Sequence, residues 1–340
     1  MYCEILTQTV KTMQRENPSA MLTHRIDGKQ AWVKSSLQEC DWLFRLDEAC
    51  VRELAAAVED MRAYPLPLLL LTPDMFELSA CRALAIRVRS ALKEGVSFAV
   101  VDRIPLDGKT PDEVKALYWL FSSLIARPVA QKLDGTMIYD VHDTGMQALP
   151  GSGVRPDKTN VDLTFHNDNA YNQTMPEIVG LFCLRQALSG GLSRAISFQT
   201  AHNCLLADYR DLLPRFYQPF PFDRQKEHFP GEHPIFSAPM FEYDGRLRAR
   251  LAPYQVKNAF AMRGEPVDAL TAAATAALDE VFSRPELIAE HYMQPGQIQY
   301  VNNREIGHSR TAFTDHVEPE LRRYLVRLWL RDAGHRGYRG

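Results

Sequence analysis

Leu163-Thr164-Phe165-His166-Asn167-Asp168 is the stretch from which the architecture of this chain can be read outward. In a β-strand residues i and i+2 project to the same face, so a strand-like Leu-Thr-Phe run would aim His166 and Asp168 at one point, whereas a helix would splay them apart. A His-x-Asp tripeptide is weak by itself, because a chain with ten histidines yields roughly one by accident. The rival reading, a histidine and aspartate that only hydrogen-bond at a strand end, therefore stays open at this point. His308 adds the missing donor. It follows the turn Gln294-Pro295-Gly296, a predicted strand over 298–301 and Asn302-Asn303-Arg304, which places it at a strand exit. Two imidazoles and one carboxylate on one side of a metal leave its opposite side open, the arrangement that suits non-haem Fe(II) oxygenases.

The segment after His308 supports an anion site. In Arg322-Arg323-Tyr324-Leu325-Val326-Arg327-Leu328-Trp329-Leu330, strand alternation puts Arg323, Leu325, Arg327 and Trp329 on one face. Two guanidiniums beside an indole are costly to bury without anionic partners. Either that face is solvated, or it meets carboxylates from the protein or from an anionic cosubstrate, which arginine's rigid fork would grip in bidentate fashion.

Composition sets the outer limits. The chain has 340 residues, 46% hydrophobic and 24% charged, with a formal net charge of -3 and a pI near 6.4. It reads as globular, and nothing in its bulk charge draws it to nucleic acid or to an anionic membrane. The six cysteines include no C-x-x-C pair, which excludes a zinc knuckle and a redox dithiol. The longest aliphatic run, 66–71, is broken by Pro67 and falls far short of the about 20 apolar residues of a bilayer span, and the N-terminus lacks a signal-peptide pattern. A soluble, cytoplasmic protein acting on a small molecule, and able to form a homo-oligomer, is expected.

The Pro-rich strip 64–73 divides an N-terminal appendage, residues 1–63, from a main domain, residues 64–340. The appendage is expected to pack on the core or serve oligomer contact. Helical spacing of Cys81, Leu84, Val88 and Leu92 predicts a helix from Ser79 that Gly95 can end, followed by a strand over 96–101. Thr110-Pro111-Asp112-Glu113 spells a capping box for a second helix. A third is predicted over 268–282. Short β-like runs at 137–141, 163–165, 179–184, 195–198, 298–301 and 324–330 fill the rest. The expected fold is α+β with a mainly β core, a double-stranded β-helix or jelly roll flanked by helices.

These motifs resemble the taurine/2-oxoglutarate dioxygenase (TauD/TfdA) family of clavaminate-synthase-like Fe(II) enzymes. The resemblance is carried by FHNDNAY (165–171), VGLFCLRQALSGGLSRAISFQTAHNCLL (179–206), QPGQIQYVNNREIGHSRTAF (294–313) and EPELRRYLVRLWLRD (318–332). It implies that His166, Asp168 and His308 bind Fe(II), leaving sites for 2-oxoglutarate and O2. It implies that Arg323, the first arginine of the R-x-x-x-R pair, binds the distal carboxylate of 2-oxoglutarate with help from Ser193, where many relatives carry threonine. Arg327 is assigned to substrate or cosubstrate, and Asn169, Tyr171 and Asp162, which flank the metal motif, to the substrate wall. Asp168 stands where related halogenases have a small residue, which favours hydroxylation over chlorination. The activity implied is oxidative decarboxylation of 2-oxoglutarate to succinate and CO2, coupled to C–H oxidation of a small polar, amino-acid-like metabolite. Loops 145–160 and 215–239 are expected to carry specificity.

Two rival functions remain at this stage. One is a catalytically silent jelly-roll protein that binds or senses metal and 2-oxoglutarate; the other is a metal-dependent hydrolase using the same histidines, in which Arg323 would have no evident purpose. Other conspicuous groups take plainer readings. His142-Asp143 follows a predicted strand, unlike the helical pair of HD phosphohydrolases, and His202 is expected to be structural or at a pocket rim. Arg246, Arg248 and Arg250 alternate on a predicted strand after the turn Tyr243-Asp244-Gly245, and are expected to form a solvated row.

Overall fold

The computed structural model describes residues 20–146 and 156–339. Part of the predicted specificity loop 145–160, namely residues 147–155, lies outside them, as does the chain start. Helix α1 (Glu39–Trp42) leads into strand β1 (Leu43–Arg45) and helix α2 (Glu48–Ala63), which Asp47 caps by accepting from the Cys50 N–H. Helix α3 (Ser79–Lys93) buries the predicted stripe of Cys81, Leu84, Val88 and Leu92. Strand β2 (Phe98–Asp102) follows, and helix α4 (Pro111–Ile125) opens with the predicted Thr110–Glu113 capping box.

The β core comes next: β3 (Arg127–Val129), β4 (Ile138–Val141), β5 (Leu163–His166), β6 (Ile178–Arg185), β7 (Ser189–Gly190) and β8 (Ser193–Ser197). Phe198, expected to close β8, instead begins helix α5 (Phe198–Asp208), because the Ser197 side chain accepts from the Thr200 N–H and caps it. After the short α6 (Leu213–Phe216), strands β9 (Pro219–Asp223) and β10 (Ile235–Pro239) pair, as do β11 (Phe241–Tyr243) and β12 (Leu247–Ala249). Helices α7 (Pro253–Arg263) and α8 (Ala269–Ser283) precede β13 (Ile288–His291), β14 (Ile298–Asn302), β15 (Ile306–Arg310), β16 (Phe313–Thr314) and β17 (Tyr324–Arg331).

Two sheets face each other, as a jelly roll requires. The larger runs β1-β2-β14-β6-β17-β3, with β4 also on β17, and the smaller runs β13-β8-β15-β5. Alternation along β17 sends Val326, Leu328 and Leu330 to the helix-covered core with Tyr118 and Phe121 of α4, and leaves Arg323, Arg327 and Trp329 for the space between the sheets. A second core of Phe216, Phe220, Phe222 and Phe241 packs with α5 and α8 against the outer side of the small sheet.

Within residues 20–63, β1 joins the large sheet as a parallel neighbour of β2, and Leu54, Ala57 and Val58 of α2 lie in the main core. A three-residue strand is too short to announce itself by periodicity. The arginine row is also corrected. Arg248 is exposed beside Asp244, but Arg246 meets Glu305 at 2.5 Å, and Arg250 is 4% exposed because β12 ends at Ala249 and the chain turns inward.

Helix α5 buries His202 completely. Its Nε2 meets the Tyr217 hydroxyl at 2.8 Å and its ring packs against Phe241, so it is structural. Burial pushes its imidazole down to about 4. The native state therefore keeps it neutral while the unfolded chain, near the ordinary 6.5, takes up a proton first, so stability falls as pH drops below 6.5 toward 4. Urea titrations should show about 2 kcal/mol of stability lost between pH 7.5 and 5 from this group, and His202→Gln should lose that part of the slope.

Candidate active site

His166 ends β5 and His308 lies in the middle of β15, directly opposite it in the antiparallel register. His308 is thus within a strand rather than at the predicted exit, because Asn303-Arg304-Glu305 forms a tight turn and the chain re-enters the sheet at Ile306. Asp168 lies just past the end of β5, where it is held by Asn303: its N–H donates to Asn303 Oδ1 at 2.9 Å, and Asn303 Nδ2 donates to its carbonyl at 2.9 Å. Asn167, the middle residue of the motif, donates to the Asn303 and Ile306 carbonyls and accepts from the Leu251 N–H. The tripeptide is pinned to the β14–β15 turn.

The three side chains converge. Each offers one ligand atom, and these atoms lie within 4.8 Å of one another, the one such group of metal-ligand type found among the described residues. The Nε2 atoms of His166 and His308 each stand 3.7 Å from Asp168 Oδ1, too far for a hydrogen bond and suited to a cation between them. His166 Nδ1–H donates to the Thr164 carbonyl at 2.8 Å, which fixes the tautomer that leaves Nε2 bare. Burial and the adjacent His166 ring push the His308 imidazole down, so its lone pair is also available.

Asp168 divides its two oxygens between two tasks. While Oδ1 faces the imidazoles, Oδ2 accepts from Trp329 Nε1–H at 2.7 Å and meets Arg327 at 3.2 Å. Burial alone would raise its carboxyl, but the Arg327 guanidinium and the two imidazoles hold it well below the ordinary carboxylate range. Trp329→Phe keeps the aromatic bulk and removes the donor. It is expected to weaken iron binding by about ten- to hundredfold, as seen when an orienting partner of a metal ligand is lost, and chelator competition would measure it.

Arg327, expected at substrate or cosubstrate, also meets protein groups: Asp168 and Asp157, each at 3.2 Å, and Gln131 Oε1, to which it donates at 2.8 Å. It lines the cavities next to the cluster as well. Arg323 differs. It is 7% exposed, lies over the Phe313 ring at 5.0 Å, and has no carboxylate within ion-pair distance among the described residues. Burial pushes its guanidinium down, so a bound anion would be strongly favoured there. Gly191 permits the approach: at φ +73°, it lies where an added Cβ would stand 3.3 Å from Arg323 Nε. Ser193, Arg323, His308 and Asp168 line one cavity between the sheets.

A second cavity shares His166, Asp168 and Arg327 with the first and is also lined by Tyr171, Asn169, Tyr254, Gln255 and Asp157. Tyr171 is buried at this wall as expected. Asn169 lines it too, but its amide is occupied, donating to the Thr174 carbonyl and accepting from Asn172 and the Tyr338 hydroxyl. Asp162 is exposed and lines neither cavity. His142 packs edge-on against Tyr324 at the end of β4, and joins no metal-ligand group.

The geometry is matched by likeness to known proteins. Residues 70–329 fit the model of the family described as taurine catabolism dioxygenase TauD, TfdA family. The chain belongs to this family. It is 27% identical over 318 residues to FR-33289 synthase of Streptomyces rubellomurinus, covering 91% of each chain. Over 321 residues it is 24% identical to the taurine hydroxylase-like protein SAT17 of Stachybotrys chartarum, covering 90% of this chain and 80% of that one. Its fold is similar to asparagine oxygenase, solved with Fe(II), a hydroxyasparagine and succinate, at TM-score 0.61 and 21% identity over 85% of this chain and 93% of that one. It is also similar to the non-haem iron oxygenase OrfP with Fe and α-ketoglutaric acid, at TM-score 0.60 and 17% identity over 86% and 94%. As a TauD/TfdA member this chain is a dioxygenase, and no helix among the described residues is long and apolar enough to cross a membrane.

Proposed function

We propose that this TauD/TfdA dioxygenase uses Fe(II) and 2-oxoglutarate to hydroxylate a small polar, amino-acid-like metabolite. The observation that carries the reading is the pairing of a three-ligand cluster with a buried arginine that has no carboxylate within ion-pair distance among the described residues, both on one cavity. When bound, iron and 2-oxoglutarate supply the oxidative decarboxylation to succinate and CO2, with O2, that drives oxidation of a substrate C–H bond.

The protein's part is positioning. His166 and His308 offer neutral Nε2 atoms and Asp168 offers Oδ1, a donor set that fits a ferrous ion with an open side. Trp329 and Arg327 keep that carboxylate aimed. Arg323 takes the distal carboxylate of 2-oxoglutarate, with Ser193 as a second donor, and Phe313 and Leu325 exclude water around the pair. Substrate would enter by the cavity of Tyr171, Tyr254, Gln255 and Asp157, which would hold its target carbon beside the ligand cluster. A hydrolase would leave Arg323 without a task, and a silent binder would not need two cavities adjoining one cluster.

The test is succinate release from 2-oxoglutarate by iron-loaded protein in the presence of O2, screened against free amino acids and related amines and acids. Stimulation by one compound, with an added oxygen atom in the product, is expected. Oxygen-independent turnover would contradict the proposal.

A further inference from the structure

Strand β15 carries a second guanidinium to the cavity of Arg323. In the register of the small sheet, Leu163, Arg310, Ser193 and His291 form one row over β5, β15, β8 and β13, two residues along β15 from the row of His166 and His308. The pairing of β15 with β8 is regular from Ile306 to Arg310. Residues i and i+2 of a strand share a face, so Arg310 projects with His308, and both line the cavity that also holds Ser193 and Arg323.

Arg310 is placed much as Arg323 is. It is 6% exposed, and the two guanidiniums lie 4.5 and 5.0 Å from the centroid of one ring, that of Phe313. Its hydrogen bonds go to the backbone: NH1 donates to the Thr311 carbonyl at 3.3 Å and NH2 to the Thr159 carbonyl at 3.0 Å. Carbonyls occupy N–H groups without cancelling a charge. Among the described residues no carboxylate stands within ion-pair distance: Asp162, Asp157 and Asp143 act on Arg310 from farther away, and Asp157 is paired with Arg327. Burial, and then the charge of Arg323, push the Arg310 guanidinium down to about 10. A buried charge without a counter-ion is costly, so two of them on one cavity call for an anion.

The charges of the cavity say which anion. Arg310, Arg323 and Arg327 line it against Asp157 and Asp168. With the imidazoles neutral as ligands, a ferrous ion would leave the site strongly positive; a dianion brings it closer to balance than a monoanion does. We propose that Arg310 is a second anchor for 2-oxoglutarate and sets the preference of the site for a dicarboxylate over a monocarboxylate 2-oxo acid. The inference rests on the dioxygenase reading above and adds to it a residue of the strand that bears His308. Arg323 grips the distal carboxylate, and Arg310, held by the Thr159 and Thr311 carbonyls, supplies a fixed positive potential beside Ser193 and Phe313. A charge already in place favours an anion without further ordering on binding.

The probes are 2-oxoglutarate and 2-oxovalerate, which offer the metal the same 2-oxo acid end and differ at C5, a carboxylate in one and a methyl in the other. In anaerobic titrations of Fe(II)-loaded protein, followed by the visible charge-transfer band, the wild type is expected to favour 2-oxoglutarate. Arg310→Gln should cut that preference by about ten- to hundredfold, by weakening 2-oxoglutarate alone. Arg310→Met, which fills the space without charge, should do the same and serves if the glutamine variant fails to fold. Arg310→Lys keeps the charge and should keep most of the preference. A folded neutral variant with the preference unchanged, or with both acids weakened equally, overturns the proposal and leaves Arg310 as a strap on the Thr159 backbone; a lysine variant no more selective than the glutamine one overturns it too. A wild-type protein that develops no band with 2-oxoglutarate overturns the dioxygenase reading instead.

Discussion

His166→Ala is expected to abolish 2-oxoglutarate-dependent succinate formation while leaving the protein folded. Loss of an orienting partner costs about ten- to hundredfold in metal affinity, so loss of a ligand should cost more than the upper end of that range. The fold should tolerate it. His166 is only half-buried at the end of β5, its hydrogen bond runs to the neighbouring Thr164 carbonyl, and its other neighbours Asp168 and His308 belong to the cluster itself. Asp168→Ala would be a poorer probe, because it takes a buried ion-pair partner from Arg327, and breaking a buried pair costs about 3–5 kcal/mol. Succinate assays, iron stoichiometry and circular dichroism on His166→Ala separate loss of chemistry from loss of structure. Full substrate-coupled turnover in a folded variant would contradict the assignment.

Arg323→Ala is expected to raise the 2-oxoglutarate requirement by about 2–4 kcal/mol, or roughly thirty- to a thousandfold, with iron affinity largely intact. The separation follows from the geometry. Arg323 does not touch the cluster, and its guanidinium lies by Phe313 and the Gly191 turn. Asp315 accepts from its backbone N–H, a bond that alanine keeps, so among the described residues no ion pair is broken and stability should change little. Equal loss of iron and 2-oxoglutarate binding would mark Arg323 as a folding residue.

What the sequence made legible follows from period. Alternation along β17 correctly put Arg323, Arg327 and Trp329 on the inner face, and it set His166 and Asp168 toward one point. Period gives a face, however, and not a reach or a partner. The expectation of Arg327 at substrate or cosubstrate therefore carried no hint of its contacts with Asp168, Asp157 and Gln131. Gln131 and Asp157 come from irregular segments with no repeat to read. Asn303, which fixes the backbone of Asp168, carried a faint signal as part of Asn302-Asn303-Arg304, but a turn asparagine has many ordinary uses. That the Asn169 amide also holds the local turn, where its φ is +57°, was hidden for the same reason.

Burial was the other blind spot. Arg250 looked like the last member of a solvated row, yet its NH1 donates to the Ala170 and Asn172 carbonyls. The long-range closure that places this guanidinium beneath the loop after Asp168 leaves no trace in local composition. Ala195 and Ala289 are unremarkable in sequence too, and only the register of β8, β13 and β15 sets them in one row with His308.

Anaerobic titration of the protein with Fe(II) and then 2-oxoglutarate tests the central claim most directly. A weak visible charge-transfer band is expected, saturating at one iron and one 2-oxoglutarate per chain and disappearing in His308→Ala. A wild-type protein that takes up iron without developing the band, or a His308→Ala variant that keeps it, would contradict the convergence of these three side chains on one ferrous ion with an open side.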